Sequence, residues 1–276
     1  MLNGMMPKIY ILLPVHNRKE ITRGFIECLI AQTYADYHLV LIDDGSTDGS
    51  AEMVMESIPS ATVLRGRGDW WWAGSLQQGL NWLKKNPPMP SDIILMTNDD
   101  VAFKSDFLQN GISYLQQFPK SLLLARFYDE VSGEVLETGV NANFRRMSFN
   151  VVKSQEEINC LSTRGLFLRW DSFENIGGFY PLMLPHYCSD YEFTIRAWRK
   201  GYALGTTPDV YLTPDLQTTG IRVVDELVKP RMLFSKKCDM NPVYLTSFIL
   251  LTFPTRWIPI NLAKVWVTAL RVMRKC

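Results

Sequence analysis

The stretch Asp92-Ile93-Ile94-Leu95-Met96-Thr97-Asn98-Asp99-Asp100-Val101 constrains the chain more than any other. A short apolar run stops abruptly in polar and acidic residues. The run has the length and β-branched content of a buried strand, and its acids emerge where that strand ends. In open α/β sheets, ligands bind outside the carboxyl ends of the strands. A carboxylate fixed there can hold a divalent cation, and the cation can hold a diphosphate. An acidic turn or a helix N-cap, which Asp and Asn often make, would look the same over so few residues.

The rest of the chain repeats this arrangement. Lys8 to Leu13 is an apolar run stopped by Pro14, and the polar turn Val15-His16-Asn17-Arg18 leads into a helix. There Ile21, Phe25 and Leu29 recur every fourth residue, and Ile26 and Ile30 widen the face. His38 to Ile42 is a second strand, ending in the acidic loop Asp43-Asp44-Gly45-Ser46-Thr47-Asp48-Gly49-Ser50. Ala61 to Leu64 is a third, followed by Trp70-Trp71-Trp72 and a helix from Ser75 to Lys84 that Pro87, Pro88 and Pro90 close off. Beyond Val101 the pattern predicts a helix over Ser105–Phe118 and a strand over Leu122–Phe127. Hairpin material over Asp129–Ser148 has turns at Ser132-Gly133 and near Asn141–Asn143. A strand over Thr163–Trp170, a helix from Ser189 to Gly201 and a short extended piece, Val210–Leu212, complete the body. This alternation predicts a mostly parallel sheet with helices on both faces. Right-handed crossovers then bring the turns after Leu13, Ile42 and Thr97 to one crevice. Asp43, Asp44, Asp99 and Asp100 become neighbours, an arrangement of like charges that a cation or a donor-rich ligand would relieve.

Composition excludes some alternatives. Lys and Arg number 29 against 28 Asp and Glu in 276 residues, so the body lacks the basic excess of a nucleic-acid binder. Five cysteines are scattered without a CxxC pair, which argues for reduced thiols in a cytoplasm and against a zinc site. No signal peptide and no run of about 18 uncharged apolar residues is evident. From Val243 to Cys276 there is no acidic residue, while Arg256, Lys264, Arg271, Arg274 and Lys275 are basic and Trp257, Trp266, Leu270 and Met273 are apolar at helical spacing. Such a basic amphipathic segment suits peripheral contact with an anionic membrane, here expected at the inner face of the cell membrane. A helix packed back on the body is the alternative. The expected division is therefore a body over 1–237 and a helical appendage over 238–276.

Taken together, the motifs resemble family 2 glycosyltransferases, inverting enzymes of the GT-A fold. The likeness is greatest to bacterial rhamnosyl- and galactofuranosyltransferases that build cell-surface polysaccharides. It rests on PVHNR at Pro14–Arg18, DDGSTDGS at Asp43–Ser50, WWAGSLQQG at Trp71–Gly79, NDD at Asn98–Asp100, GGF at Gly177–Phe179 and SDYEFTIRAWRKGY at Ser189–Tyr202, in the family's order. The resemblance implies a Rossmann-like mixed sheet flanked by helices. It also implies a UDP-, dTDP- or GDP-linked sugar as donor, a glycan or polyprenyl-linked glycan as acceptor, and Mg²⁺ or Mn²⁺ as cofactor. By the same resemblance Pro14, Val15, His16, Asn17, Arg18 and Gly74 would line the donor pocket. Asp43 would accept from the base and Asp44 would brace its loop. Asn98 stands where many relatives carry the first acid of a D-x-D motif, Asp99 lies between, and Asp100 would be the metal ligand. Asp190 would deprotonate the acceptor. Ser189 replaces the glutamate that usually precedes that acid, and the histidine many relatives carry after the last strand is missing near Tyr211–Thr219.

As sole base, Asp190 implies direct displacement, because a retaining double displacement needs a nucleophile as well. Phe179, Tyr180 and Tyr187 could raise its pKa by desolvation. Several residues keep two readings. The three tryptophans could stack on sugar or pack the core. His186 could touch acceptor or metal, or be structural. Arg164 could meet phosphate or form a salt bridge, and Arg222, Lys229 and Arg231 could approach the diphosphate or be solvated. A sugar-nucleotide pyrophosphorylase would show a basic glycine-rich loop after the first strand, and Pro14–Arg18 has no glycine. A catalytically inactive nucleotide-sugar-binding or scaffold protein would not need Asp190.

Overall fold

The computed structural model describes residues 6–129, 132–152, 154–214 and 232–274. Four strands, β1 (Ile9–Val15), β2 (Tyr37–Asp43), β3 (Thr62–Arg65) and β4 (Ile93–Met96), are joined by helices α1 (Lys19–Ile30), α2 (Ser50–Ser57) and α3 (Trp71–Lys85). All four are parallel, in the order β3-β2-β1-β4. Strands β1, β2 and β4 are largely buried on both faces while β3 forms the partly exposed edge, and side chains alternate with period two. Ile9, Ile11, Leu13, Leu39, Leu41, Ile93 and Leu95 point to one core, where Phe25, Ile26, Leu29 and Val54 meet them. Leu12, Val40, Ile42, Ile94 and Met96 point to the other, against Leu76, Leu80 and Leu83 of α3.

The second half departs from a mostly parallel sheet. After β5 (Val101–Ala102) and α4 (Phe107–Gln117), strand β6 (Ser121–Tyr128) ends at the same rim as β4. The chain stays at that rim through β7 (Val135–Glu137) and the hairpin β8 (Val140–Asn143)–β9 (Ser148–Val151). Strand β10 (Leu166–Arg169) is thus entered from the rim without a helical crossover. It inserts antiparallel between β4 and β6, with Leu166 opposite Met96. The hairpin turn spans 144–147, a few residues beyond where the sequence pattern places it; Asn141–Asn143 belong to β8. Helices α5 (Trp170–Ile176) and α6 (Ser189–Arg199) follow, then β11 (Ala203–Pro214), which is parallel to β6 and bulges between Thr207 and Tyr211. That bulge hides the strand's length: only its second part reads as extended in sequence, and α5 is too short to show a period.

The last two helices, α7 (Pro242–Thr252) and α8 (Ile258–Met273), share a core with the hairpin and α6. Phe248, Ile249, Phe253 and Val265 pack with Val140, Ala142, Leu184 and Ile195. Asn241 caps α7 by accepting from Val243 N at 3.0 Å, and Pro242 occupies the first turn, where its missing N–H costs nothing. Pro254 follows the end of α7 and begins the corner into α8.

Two helix glycines should respond with opposite sign to alanine. A Cβ at Gly111 of α4 would sit 2.6 Å from the Phe167 ring, whereas a Cβ at Gly24 of α1 meets nothing within 4 Å. Gly111→Ala should lower unfolding free energy by about 1–3 kcal/mol through overpacking. Gly24→Ala should raise it by about 0.5–1 kcal/mol by removing unfolded-state freedom. Urea unfolding of the two variants checks both signs.

Candidate active site

The carboxyl ends of β1, β2 and β4 lie side by side. Val15 pairs with Asp43, and Leu12 pairs with both Val40 and Met96. The loops leaving them are tied to one another. His16 Nδ1 lies 2.7 Å from the Asp44 carbonyl, Asn17 N donates to Ser46 Oγ at 2.9 Å, and Thr47 N donates to Asn17 Oδ1 at 2.8 Å. Asn17 adopts a left-handed backbone (φ 51°), which Asn tolerates better than most residues, and that turn aims its amide back at the second loop. Asp43 is buried; one oxygen accepts from Ser46 N at 2.8 Å and the other lies 3.8 Å from Arg65. Asp44 is a brace. Its Oδ1 accepts from Gly68 N at 2.9 Å, and its Oδ2 from Trp70 N at 2.9 Å and Trp71 N at 3.2 Å.

Asn98, Asp99 and Asp100 follow β4 directly. Arg18 straddles the two acids, 3.2 Å from Asp99 and 3.1 Å from Asp100. It therefore faces the carboxylates as well as the rim. Asp99 also accepts from Thr22 Oγ at 2.8 Å, yet burial pushes its pKa up to about 6 despite Arg18 and Thr22. Two buried oxygens, Asn98 Oδ1 and Asp100 Oδ1, have no hydrogen-bond partner. Unsatisfied buried acceptors are costly unless something completes them. A hard cation that prefers oxygen ligands fits this pair of atoms. Among the described residues no three His, Cys, Asp or Glu side chains gather in a way that could hold a metal ion unaided. A cation here would need further oxygens from a bound diphosphate and water.

Asp190 reaches the same neighbourhood by two chains of contacts. On one side, Gly165 N donates to Met96 O at 2.9 Å, the Trp72 indole donates to Thr163 Oγ at 2.9 Å, and Thr194 Oγ, one turn after Asp190, donates to Leu161 O at 2.8 Å. The ledge 161–165 thus joins the end of β4 to the first turn of α6. On the other side, Asp44 fixes Trp70 and Trp71, Ala73 N donates to Pro185 O at 3.0 Å, and Ser189 Oγ donates to His186 O at 2.7 Å. Asp190 accepts from Tyr191 N at 2.9 Å. Burial raises its pKa to about 6; Glu137 adds to the rise and Arg164 opposes it. Burial also keeps nearby groups uncharged: Cys188 is pushed up to about 12, Cys160 well above its ordinary value, and His186 is held below its own. No thiolate nucleophile is available beside Asp190.

The residues with two readings now have positions. Trp70 and Trp72 pack against the second core. Trp71 sits in a left-handed backbone (φ 58°), 5.8 Å from the His186 ring, with Lys236 and Lys237 6.0 and 5.8 Å from its centroid. His186 Nδ1 is buried and has no partner. Arg164 pairs with Glu137 at 2.7 Å and covers the Phe127 ring. Gly74 lies in the first turn of α3, where a Cβ would press on Trp70 at 3.2 Å and meet Pro181. Arg222, Lys229 and Arg231, and the region 215–219, lie outside the described residues. The sequence alone gave no sign of Glu137, Thr163, Lys236 or Lys237. Each belongs to a hairpin or loop without periodicity, and only the tertiary fold brings it to the rim.

A sheet of mostly parallel strands, with β10 inserted antiparallel between β4 and β6 and polar turns at one rim, is the GT-A fold. Solved structures of that fold are similar to this chain. They include a mannosyltransferase from Pyrobaculum calidifontis in complex with GDP-Man and Mn²⁺ (TM-score 0.58, 16% identity, 97% of this chain and 76% of that one). TarS 1–349 of S. aureus in complex with UDP-GlcNAc is similar at TM-score 0.59 (16% identity, 97% and 74%). GalNAc-T7 with UDP, GalNAc and Mn²⁺ is similar at TM-score 0.61 (13% identity, 76% of this chain and 44% of that one). Glycosyltransferase AglE of Haloferax volcanii is 25% identical over 220 residues, 76% of this chain and 67% of its own length. An uncharacterized glycosyltransferase of Haemophilus influenzae is 46% identical over 50 residues, a span of 18% of this chain and 20% of that one. Residues 10–177 match the model of glycosyl transferase family 2, and the chain belongs to that family.

The pKa of Asp190 has a consequence for stability. Because it is raised on folding, the folded state holds the proton longer than the unfolded chain, so this group's contribution falls as pH rises from about 4 through about 6. Asp190→Asn removes the buried charge. The variant should be more stable than wild type by about 1–3 kcal/mol at pH 8, with the gain vanishing at pH 4. Unfolding curves at the two pH values check this.

Proposed function

We propose that this family 2 glycosyltransferase moves a sugar from a UDP-, dTDP- or GDP-linked donor to a glycan or polyprenyl-linked glycan, with inversion, in the synthesis of a cell-surface polysaccharide. The observation that carries the reading is the placement of Asp190. It is a half-buried carboxylate at a helix start with its pKa raised to about 6, across the ledge 161–165 from the acidic end of β4. Nucleotide-sugar and Mn²⁺ complexes of similarly folded proteins support the donor and cofactor classes.

In this reading the loops after β1 and β2 hold the nucleotide. The knot among His16, Asn17, Asp44 and Ser46 makes that surface rigid before the donor arrives, which lowers the ordering cost of binding. Asn98 and Asp100 would hold Mg²⁺ or Mn²⁺ together with the diphosphate, and the bound cation would neutralise charge on the leaving group. Arg18 already compensates Asp100 and would shift toward the diphosphate as the carboxylate is taken up. Asp190 accepts the proton of the acceptor hydroxyl as that oxygen attacks the anomeric carbon. A pKa near 6 makes it a better base than an ordinary carboxylate while leaving it mostly ionised at pH 7. The tryptophan-rich start of α3 and the loop 177–188 form the wall that keeps water from the donor.

The test is a thermal-shift screen of nucleotide diphosphates and their sugars, with and without Mg²⁺ or Mn²⁺, followed by transfer assays with the donor that binds. Asp190→Asn should lower kcat by about 10²–10⁴-fold while leaving donor affinity unchanged, and wild-type kcat should fall as pH drops below about 6. Undiminished transfer by Asp190→Asn would refute the assigned base. Donor binding without transfer to any glycan acceptor would favour an inactive binding protein. Asp100→Asn should abolish the metal-dependent part of the donor-induced shift.

A further inference from the structure

The C-terminal helices α7 and α8 pack on the body with one face only. On α8 the buried residues are Asn261, Val265 and Ala269, one per turn, and Asn261 is anchored to the Phe144 carbonyl at 2.8 Å. The opposite side carries two adjacent stripes. Trp266, Leu270 and Met273 form an apolar one, with Ile260 and Val267 beside it. Lys264, Arg271 and Arg274 form a basic one. The outer side of α7 is apolar too: Val243 and Leu250 are about half exposed (48% and 54%). Trp266 joins the helices, its indole donating to Thr246 Oγ at 3.1 Å. Beneath α8 an apolar cavity of about 190 Å³, lined by Met147, Leu233, Met240 and Leu245, opens beside Lys264.

A soluble helix normally turns its polar face to water. α8 turns apolar and cationic residues outward together, and α7 adds exposed Val243 and Leu250. Water is a poor partner for that surface, and a second protein would need acids to meet it. Among the described residues no helix is long and apolar enough to cross a membrane. We propose that the outer face of α7 and α8 is a seat for an anionic lipid surface. In this arrangement Trp266, Leu270, Val267 and Leu250 enter the boundary between headgroups and acyl chains, and Lys264, Arg271, Arg274 and Arg256 pair with lipid phosphates. With no acidic residue between Val243 and Cys276, nothing in the segment offsets that attraction. The anionic leaflet facing the cytoplasm is the occupant this charge pattern selects.

The seat is also coupled to the rim. Leu233 and Cys238 bury against Ala269 of α8, and between them Lys236 and Lys237 lie over Trp71. A body held at a lipid surface through α8 therefore keeps the Trp71 side of the cleft close to that surface. The inference concerns docking and does not depend on the proposed reaction.

Flotation of the full chain with vesicles tests the proposal. Binding is expected to phosphatidylcholine vesicles containing phosphatidylglycerol, to weaken as salt is raised, and to be far weaker with phosphatidylcholine alone. Arg271→Glu/Arg274→Glu and Val267→Ser/Leu270→Ser, all at exposed positions, should each reduce the bound fraction by about tenfold or more. Both should retain the wild-type melting temperature and circular dichroism spectrum. Absence of flotation with anionic vesicles, or flotation that the folded variants leave unchanged, would overturn the proposal. So would a stable dimer in solution that the same substitutions break.

Discussion

The start of α3 is fastened to the rim through the carboxylate of Asp44. That carboxylate takes the backbone N–H groups of Gly68, Trp70 and Trp71, all in the turn that starts α3. Charge-assisted bonds to backbone amides are among the stronger hydrogen bonds available to a protein. Three of them converge on one side chain that is itself 7% exposed. They hold Trp71 in a left-handed conformation that a bulky residue adopts only under constraint. The position of Trp71 in turn sets where α3 begins, and α3 receives the loop before α6 through Ala73 and Gln77. The acid after β2 is thereby connected, through two turns of backbone, to the acid proposed as base.

The fold makes this economical. Parallel strands with alternating apolar faces put their carboxyl ends in register with no further instruction. The inserted antiparallel strand then supplies the ledge 161–165. Polar groups are mostly satisfied within this frame. The exceptions lie around the rim: Asn98 Oδ1, Asp100 Oδ1, Ser162 Oγ and His186 Nδ1 are buried and unpartnered. Unpaired buried atoms are a stability cost that folded proteins otherwise avoid, and here they are gathered where a ligand would complete them.

The first half of the fold was readable because its signals are local. Strands β2 and β4 are short apolar runs that end in acidic or polar residues, whereas β1 continues through Pro14, expected to stop it, to Val15; the helix faces repeat every three to four residues. The brace role of Asp44 also agrees with its expected place beside the loop it holds. The second half was harder. The inversion of β10 depends on the chain remaining at the rim through two hairpins, which no periodicity records. Strand β11 is interrupted by a bulge at Pro208 and Asp209, and α5 spans only Trp170–Ile176. The ion pair of Arg164 with Glu137 joins residues 27 apart in sequence and depends on that same topology. The C-terminal segment showed both of its characters in sequence, and the structure divides them between the two sides of one helix.

Arg18 has a wider meaning. By lying across Asp99 and Asp100 it supplies the positive charge that two adjacent buried acids require. The fold therefore does not depend on an ion to tolerate them, unlike small metalloproteins that unfold when stripped. In the proposed reading, ion uptake would be an exchange between an internal cation and an external one. Stripping the external ion with a chelator would return the site to its own arginine and leave the architecture standing.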